Sequence, residues 1–364
     1  MIIRHVTCYR FRLPLTAPVP VPGGRVTERA GALLRIETDA PSQGWGEASP
    51  LPGFSGETLD EAVAISRAVA REKICGRPAG EIAEFLQKES TLPPSVRFAL
   101  ESALHQIGDS EHPSPPADAA VMVPLCALAG GGAQTVQREV DAAVRAGYAT
   151  VKIKVGRNSV MDDITMARAL RRSFAGACRL RFDANRAWTF EDASRFCGSI
   201  ADDEVDYVEE PLADPTKLTS LYERCGVSFA VDETLQELSA CMAGTGNDKT
   251  SAREAALRAI VENARALVWK PTLGASPENM SLKTDAPVVL SGAYESGIGS
   301  AAILRLSAAG RHVAQPPGID TYNRLDDDVL EQRLPICRGA ANLQAVTRAA
   351  EKVNPAKLTQ AWHV

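Results

Sequence analysis

The chain reads as an α/β protein in which a (β/α)-barrel follows a smaller N-terminal α+β domain. Three observations predict this. From about residue 121 onward, short apolar strands alternate with helical stretches, the pattern of parallel strands joined by crossover helices. A proline-rich stretch at 109–116 separates that region from the residues before it, because proline removes a backbone donor and disfavours helix ahead of it. Finally, 364 residues with 45% hydrophobic and 23% charged side chains suffice for a barrel with an addition and are too apolar for a disordered chain.

Residues 1–117 are expected to form the capping domain. The segments 2–13 and 32–38 have strand character, and the Pro/Gly-rich stretch 16–25 between them reads as a surface loop. A second loop, Ser-Pro-Leu-Pro-Gly-Phe-Ser at 49–55, precedes helices expected over 57–72 and 95–107. The barrel is expected over 118–317. Its strands are placed at 121–125, 150–155, 180–183, 206–209, 228–232, 266–269, 288–291 and 312–315. The first crossover helix, 133–146, carries Val136, Val140, Ala143 and Val144 as a core-facing stripe. Residues 318–364 are expected to return and complete the capping domain. An open, doubly wound sheet is the alternative, but no GxGxxG follows any strand to support a dinucleotide site.

Composition narrows the function. With 40 Lys+Arg against 45 Asp+Glu the net charge is −5, which offers no basic footprint for nucleic acid or an anionic membrane. A small-molecule substrate is the expected partner. Eight cysteines are scattered without a CxxC pair or a Cys/His cluster at zinc spacing, so they read as reduced thiols of a cytoplasmic protein. Arg4 and His5 interrupt what a signal peptide would need as an apolar run, and no uncharged stretch approaches the ~18 residues of a membrane helix.

In a barrel of this kind the reacting groups gather at the C-terminal strand ends. The second expected strand holds Lys152 and Lys154 two residues apart, hence on one face of the strand. Alone, such lysines would read as solvent-facing. The next three strands end in Asp183-Ala-Asn185, Glu209-Glu-Pro211 and Asp232-Glu-Thr234. Asp183 and Glu209 are 26 residues apart and Glu209 and Asp232 are 23, each about one βα unit, so the three acids sit at similar height on adjacent strands. A single acid at a strand end is commonly a helix N-cap. Three in succession would raise one another's pKa unless a cation lay among them, and oxygen-only ligands suit a hard ion such as Mg²⁺, with Mn²⁺ also open. Lys270 ends the sixth strand, across the barrel from Lys152 and Lys154. A metal flanked by opposed lysines suits proton abstraction beside a carboxylate, provided a neighbouring ammonium and the metal lower the pKa of the lysine that acts as base.

Through Lys152-Ile-Lys154, Asp183-Ala-Asn185, Glu209-Glu-Pro211, Val231-Asp-Glu233 and Trp269-Lys-Pro271, in that order, the chain resembles the enolase superfamily, muconate-lactonizing subgroup. Within it, Trp45-Gly-Glu-Ala-Ser-Pro-Leu-Pro-Gly-Phe-Ser55 is most similar to the o-succinylbenzoate synthase family, and 291–299 and 318–322 add to this. The resemblance implies a TIM-like (β/α)7β barrel with a capping domain, and a syn dehydration of a succinyl-hydroxycyclohexadiene carboxylate in menaquinone synthesis. It also implies Asp183, Glu209 and Asp232 as Mg²⁺ ligands, with Glu210 behind them. Lys154 would abstract the proton and then protonate the departing hydroxide, Lys152 would stay beside the substrate carboxylate, and Lys270 would stabilise the enediolate from the other face. The loops 16–25 and 49–55 would close over the substrate, with Phe54 as a wall unless it is a core aromatic of the cap. Arg181 would meet a substrate carboxylate or an internal acid. Asn185 would orient a ligand or substrate oxygen, and Ser291 and Gly292 would bind the succinyl carboxylate or cap the backbone.

One departure is the 38-residue interval from Asp232 to Lys270, whose excess is assigned to a surface insertion at 239–251. The nearest rival activity is N-succinylamino acid racemization, alone or alongside dehydration. Muconate cycloisomerization, dipeptide epimerization and a catalytically silent barrel are more distant.

Overall fold

The computed structural model describes residues 1–89, 91–111, 121–200, 205–244, 251–309 and 315–364. Strands β1 (Ile3–Val21) and β2 (Gly24–Thr38) form a long antiparallel hairpin, and β3 (Gln43–Ala48) pairs with β2. The stretch 16–25 is therefore the tip of a hairpin rather than a loop. Val19 pairs with Val26 and Val21 with Gly24, around a Pro22-Gly23 turn in which Gly23 takes φ 84°. Proline argues against strand because it cannot donate to a ladder; here the register is already interrupted between Pro14 and Val19, so the missing donors cost little. Strand β3 has no counterpart among the expected elements, since Gly44 and Gly46 weaken its pattern. A Cβ on Gly46 would lie 1.7 Å from the Ala99 carbonyl oxygen, so the glycine is what lets the neighbouring helix close onto this strand.

Helices α1 (Leu59–Val69), α2 (Ala79–Lys88) and α3 (Pro94–Glu111) follow. Thr58 and Glu61 form a reciprocal capping box that opens α1. Most of the expected linker, and the division at 117/118, lie outside the described residues. The short β4 (Met122–Pro124) corrects the first expected barrel strand, because it pairs antiparallel with residues 340–342 instead of entering the barrel.

The barrel runs through β5 (Cys126–Ala129), α4 (Ala133–Arg145), β6 (Thr150–Lys154), α5 (Val160–Phe174), β7 (Arg179–Asp183), α6 (Phe190–Ile200) and β8 (Val205–Glu209). It continues with α7 (Leu218–Cys225), β9 (Phe229–Val231), α8 (Glu233–Met242), α9 (Ser251–Glu262), β10 (Ala266–Trp269), β11 (Val288–Leu290) and α10 (Gly297–Ala309). Among the described residues these strands form one seven-stranded parallel sheet in the order β5 to β11. The long interval before Lys270 is not a loop alone: 239–242 continue α8, and α9 is a second helix on the same crossover, while 245–250 lie outside the described residues.

Residues 312–314 of the expected eighth strand also lie outside the described residues, but the chain just beyond them closes the sheet. The Cys126 amide donates to Pro317 O at 3.0 Å, the Gly318 amide to Leu290 O at 2.9 Å, and Ser291 bridges Gly318 in parallel. The chain ends with β12 (Ile336–Cys337), β13 (Ala340–Asn342), α11 (Leu343–Ala350) and β14 (Thr359–His363). Strand β14 pairs with β1, Thr7 opposite His363, so the last residues extend the cap sheet.

Strand alternation sorts the side chains into two layers. Val151, Ile153, Leu180, Phe182, Val208, Phe229, Val231 and Leu267 join the main core with Val136 and Val140 of α4. Their neighbours point inward: Tyr207, Ala230, Ala266, Val268 and Val289 form a separate cluster inside the barrel. The same parity carries Lys152, Lys154, Asp183, Glu209 and Asp232 to the interior.

Cap and barrel meet at a buried carboxylate. Glu47 of β3 is 0% exposed. It accepts from the Ser49 hydroxyl at 2.6 Å, the Ser296 amide at 3.0 Å, the Gly299 amide at 2.9 Å and the Ser296 hydroxyl. The amides belong to the start of α10, where the helix dipole favours an anion. We expect Glu47→Ala to lower unfolding stability by about 3 kcal/mol in urea titration, because several buried donors lose a charged acceptor; Glu47→Gln, which keeps an acceptor oxygen, should lose less than half of that.

Candidate active site

The expected acids and lysines meet at the C-terminal end of the parallel sheet. Lys154 pairs in register with Asp183, and Asp183 with Glu209. The carboxylates of Asp183, Glu209 and Asp232 are buried, at 0%, 0% and 1% side-chain exposure. The lysines lie over them. Lys152 Nζ sits between Asp183 Oδ2 at 3.0 Å and Glu209 Oε1 at 2.7 Å. Lys154 Nζ donates to Asp183 Oδ2 at 2.6 Å and to Asn185 Oδ1 at 2.8 Å. Lys270 Nζ donates to Asp232 Oδ2. Lys154 and Lys270 thus stand at opposite ends of the acid row, on strands that flank it on either side.

These contacts set the charge states. Burial pulls the Lys152 ammonium down, but Asp183 and Glu209 more than reverse this and hold it above its ordinary value. Lys270 is likewise burdened by burial and raised by Asp232. The carboxylates by themselves therefore favour the ammonium form of Lys152 and Lys270. Burial pushes Asp183 up, yet Lys152 and Lys154 hold its carboxyl well below the usual range. Glu209 is raised by burial and by the charge of Asp183.

Behind the row, Glu210 ties the strand ends together. Its carboxylate accepts from the amides of Asp232 at 2.9 Å and Thr234 at 2.7 Å, and from Arg186 Nε at 3.0 Å. Asn185, Arg186, Glu210 and Tyr294 all have positive φ, between 41° and 66°. Such strain outside glycine persists only where the surroundings impose it, and it gathers at functional sites.

The donor set suits a hard cation. Asp183, Glu209 and Asp232 offer oxygen alone, and Glu209 Oε2 is a buried oxygen without a hydrogen-bond partner. Among the described residues, no three Asp, Glu, His or Cys side chains already stand together as a ligand group. Lys152 lies between Asp183 and Glu209, with Lys154 and Lys270 at the two ends, and the three expected ligands share a row instead of a ready-made cluster. A divalent ion suits this oxygen-only set, whose negative charge the three lysines offset in the structure.

Above the lysines lies a cavity of about 450 Å³. Lys152, Lys154, Lys270, Asn185, Ser291, Gly292 and Phe54 line it, together with Val19, Pro20 and Pro22 from the hairpin tip and Leu51 from the second loop. Phe54 is 38% exposed, a wall of the cavity and not a core aromatic. Two expectations that left alternatives open now have observed contacts. Arg181 does not line the cavity: 1% exposed, it donates to Asp206 at 3.1 Å, to Gln315 at 2.7 Å and to the Pro316 carbonyl at 3.0 Å. It closes the lower barrel, one layer beneath Asp183, since residues two apart on a strand share a face at different heights. The Gly292 amide donates to Gly318 O at 2.8 Å and the Ser291 hydroxyl to the same carbonyl at 3.3 Å, so both are engaged in backbone capping.

Three further cavity residues are not singled out by the sequence. Glu233, in contact with Asn185 Nδ2 at 3.1 Å, keeps a buried oxygen without a partner and is signalled only by its place after Asp232. Arg157, whose Nη1 donates to the Gly130 carbonyl at 3.0 Å, and Tyr294 come from loops, where no periodicity reports direction.

Comparison with known proteins agrees with this architecture. The family model described as "MenC, N-terminal domain" matches residues 3–107, and that described as "Enolase C-terminal domain-like" matches residues 135–243. The o-succinylbenzoate synthase of Citrobacter koseri is 31% identical over 332 residues, covering 88% of this chain and 92% of that protein. Among solved structures, the L-Ala-D/L-Glu epimerase from Bacillus subtilis superposes with a TM-score of 0.76 at 19% identity, covering 93% and 96% of the two chains. The o-succinylbenzoate synthase from Thermosynechococcus elongatus, complexed with Mg in its active site, does so with a TM-score of 0.69 at 23% identity, covering 95% and 99%. The chain is an enzyme with the barrel-and-cap fold of the enolase superfamily, and it belongs to the o-succinylbenzoate synthase family.

Proposed function

We propose that this enzyme converts 2-succinyl-6-hydroxy-2,4-cyclohexadiene-1-carboxylate to o-succinylbenzoate by a syn dehydration, in the cytoplasm and within menaquinone synthesis. The observation that carries this reading is the acid row with Lys154 at one end and Lys270 at the other, beneath a cavity walled by the cap. Family membership supports the substrate, and the buried free thiols of Cys8, Cys126 and Cys197 accord with a reducing compartment.

Lys154 is the base and acid. As the neutral amine it takes the proton from the carbon bearing the ring carboxylate, leaving an enediolate. The same ammonium then returns that proton to the departing hydroxyl on the same ring face, and water leaves as the ring becomes aromatic. Asn185, held between Lys154 and Glu233, fixes where the Lys154 nitrogen points. Lys270 places a permanent ammonium on the opposite flank, where the enediolate charge develops, and Lys152 stands beside the ring carboxylate. Asp183, Glu209 and Asp232 would hold Mg²⁺, with Mn²⁺ as an alternative, and Glu210 would orient them. When bound, the ion supplies positive charge among the acids, which stabilises the enediolate and offsets the carboxylate field that keeps the neighbouring ammoniums protonated. Arg157 lines the cavity while Arg181 is committed below it, so Arg157 takes the place of Arg181 as the cation for a substrate carboxylate, in this proposal the succinyl one.

Two-sided lysines also suit a racemase, in which Lys270 would exchange a proton with the second face of the carbon. Offering N-succinyl-phenylglycine in deuterated water decides between the readings. Loss of α-hydrogen with racemization faster than dehydration of the cyclohexadiene would move the assignment to the racemase.

Lys154→Ala should lower the dehydration kcat by on the order of 10³-fold while Mg²⁺ binding, read by calorimetric titration, stays near the parent's; retained turnover would remove Lys154 from its role. Dialysis against a chelator should abolish dehydration, and added Mg²⁺ should restore it. Arg157→Leu should raise KM for the succinyl substrate by about 10–100-fold through loss of a charge-assisted hydrogen bond, with a smaller change in kcat.

A further inference from the structure

Strand β2 sends one cation into the seam between cap and barrel. Arg29 is 2% exposed, and its guanidinium donates to three main-chain carbonyls. Nη1 reaches Pro50 O at 2.9 Å, Nε reaches Tyr294 O at 3.2 Å, and Nη2 bonds Ser49 O. The buried carboxylates of Glu47 and Glu295 partly offset the cost of burying its charge. Arg29 lines no part of the cavity, yet it holds two of the loops that do: Ser49 and Pro50 lead into Leu51 and Phe54, and Tyr294 belongs to the loop after β11.

Tyr294 carries the strain. Its φ of 66° is the left-handed conformation, where a side chain crowds the backbone and a bulky residue seldom rests. A residue stays there only when its main chain is held from outside. The carbonyl of Tyr294 is gripped by Arg29, and on its other side the Ala293 amide donates to Glu295 Oε2 at 2.6 Å. The half-buried Tyr294 side chain, so placed, faces the cavity together with Phe54 and Lys270.

We infer that Arg29 is a positioning residue that clamps the 49–55 loop to the loop after β11 and fixes Tyr294 as a specificity wall against the succinyl arm of the substrate. The inference rests on the dehydration reading for the identity of that arm. Arg29 touches no substrate and acts through Tyr294, whose main chain it holds in the strained form.

The test uses the full-length enzyme with its metal and the cyclohexadiene substrate. Tyr294→Gly should raise KM about tenfold, the scale of one aromatic contact, with the effect falling on KM and not on kcat. Arg29→Met should raise KM by a similar factor in the parent but by less than about twofold in the Tyr294→Gly background. Glycine rests in the left-handed conformation without a clamp, and no ring remains to be misplaced. An unchanged KM in Tyr294→Gly, or an equal added effect of Arg29→Met in both backgrounds, would overturn the proposal. Should Arg29→Met fail to fold, hydrogen exchange on Arg29→Lys decides the matter. Amides within 51–55 and 292–296 should then exchange at least about tenfold faster, with those of β6 to β8 unchanged; unaltered exchange in the two loops would sink the clamp. The exchange measurement needs no substrate, so it judges the clamp even if the parent enzyme proves not to dehydrate the cyclohexadiene, an outcome that would instead refute the functional reading.

Discussion

Burying Asp183, Glu209 and Asp232 at one end of a closed sheet demands compensating positive charge, and most of the upper barrel answers that demand. A carboxylate out of water is costly unless paired and hydrogen-bonded. In the structure, Lys152, Lys154 and Lys270 supply the charge from inside the barrel, and Arg186 and the strand-end amides supply it to Glu210 behind. The lysines are therefore the counter-ions of the acid row, and in the proposed dehydration they are also its base and its flanking ammoniums. In that proposal a divalent ion among the acids would take over the first duty, which would link its binding to the readiness of Lys154 as base.

The cap matters to this site through two buried charges of opposite sign. Glu47 accepts from the amides that open α10, and Arg29 donates to three carbonyls from two loops. Each satisfies backbone groups that would otherwise be stranded at the seam. The hairpin tip, with Val19, Pro20 and Pro22 over the cavity, is held by pairing across its own two strands. The cap thus supplies part of the wall, while the charged floor comes from the barrel.

The barrel closes through polar contacts as much as through strands. Between β11 and β5 the sheet is joined by residues 317 and 318, and Arg181 reaches across to Gln315 and Pro316 from the far strands. An arginine two residues before an acid of the candidate site looks like a substrate ligand in one dimension. The spacing gives it the correct face, and only the height of its strand position decides that it lies beneath the site.

The repeating part of the molecule is legible in the order of its residues. Alternation along β6 to β10 reveals which side chains enter the barrel, and the interval of one βα unit between acids reveals that they share a height, because periodicity and spacing are properties of the chain alone. The hairpin at 16–25 and strand β3 are illegible for a local reason: prolines and glycines break the pattern, and what offsets them, a register slip at Pro14 and the closeness of α3 to Gly46, is supplied by other segments. The roles of Arg157, Tyr294, Arg29 and Arg181 arise only on folding. Their side chains act where loops and strands from distant parts of the chain come together, and the direction a guanidinium or a strained tyrosine takes there is set by partners up to 265 residues away.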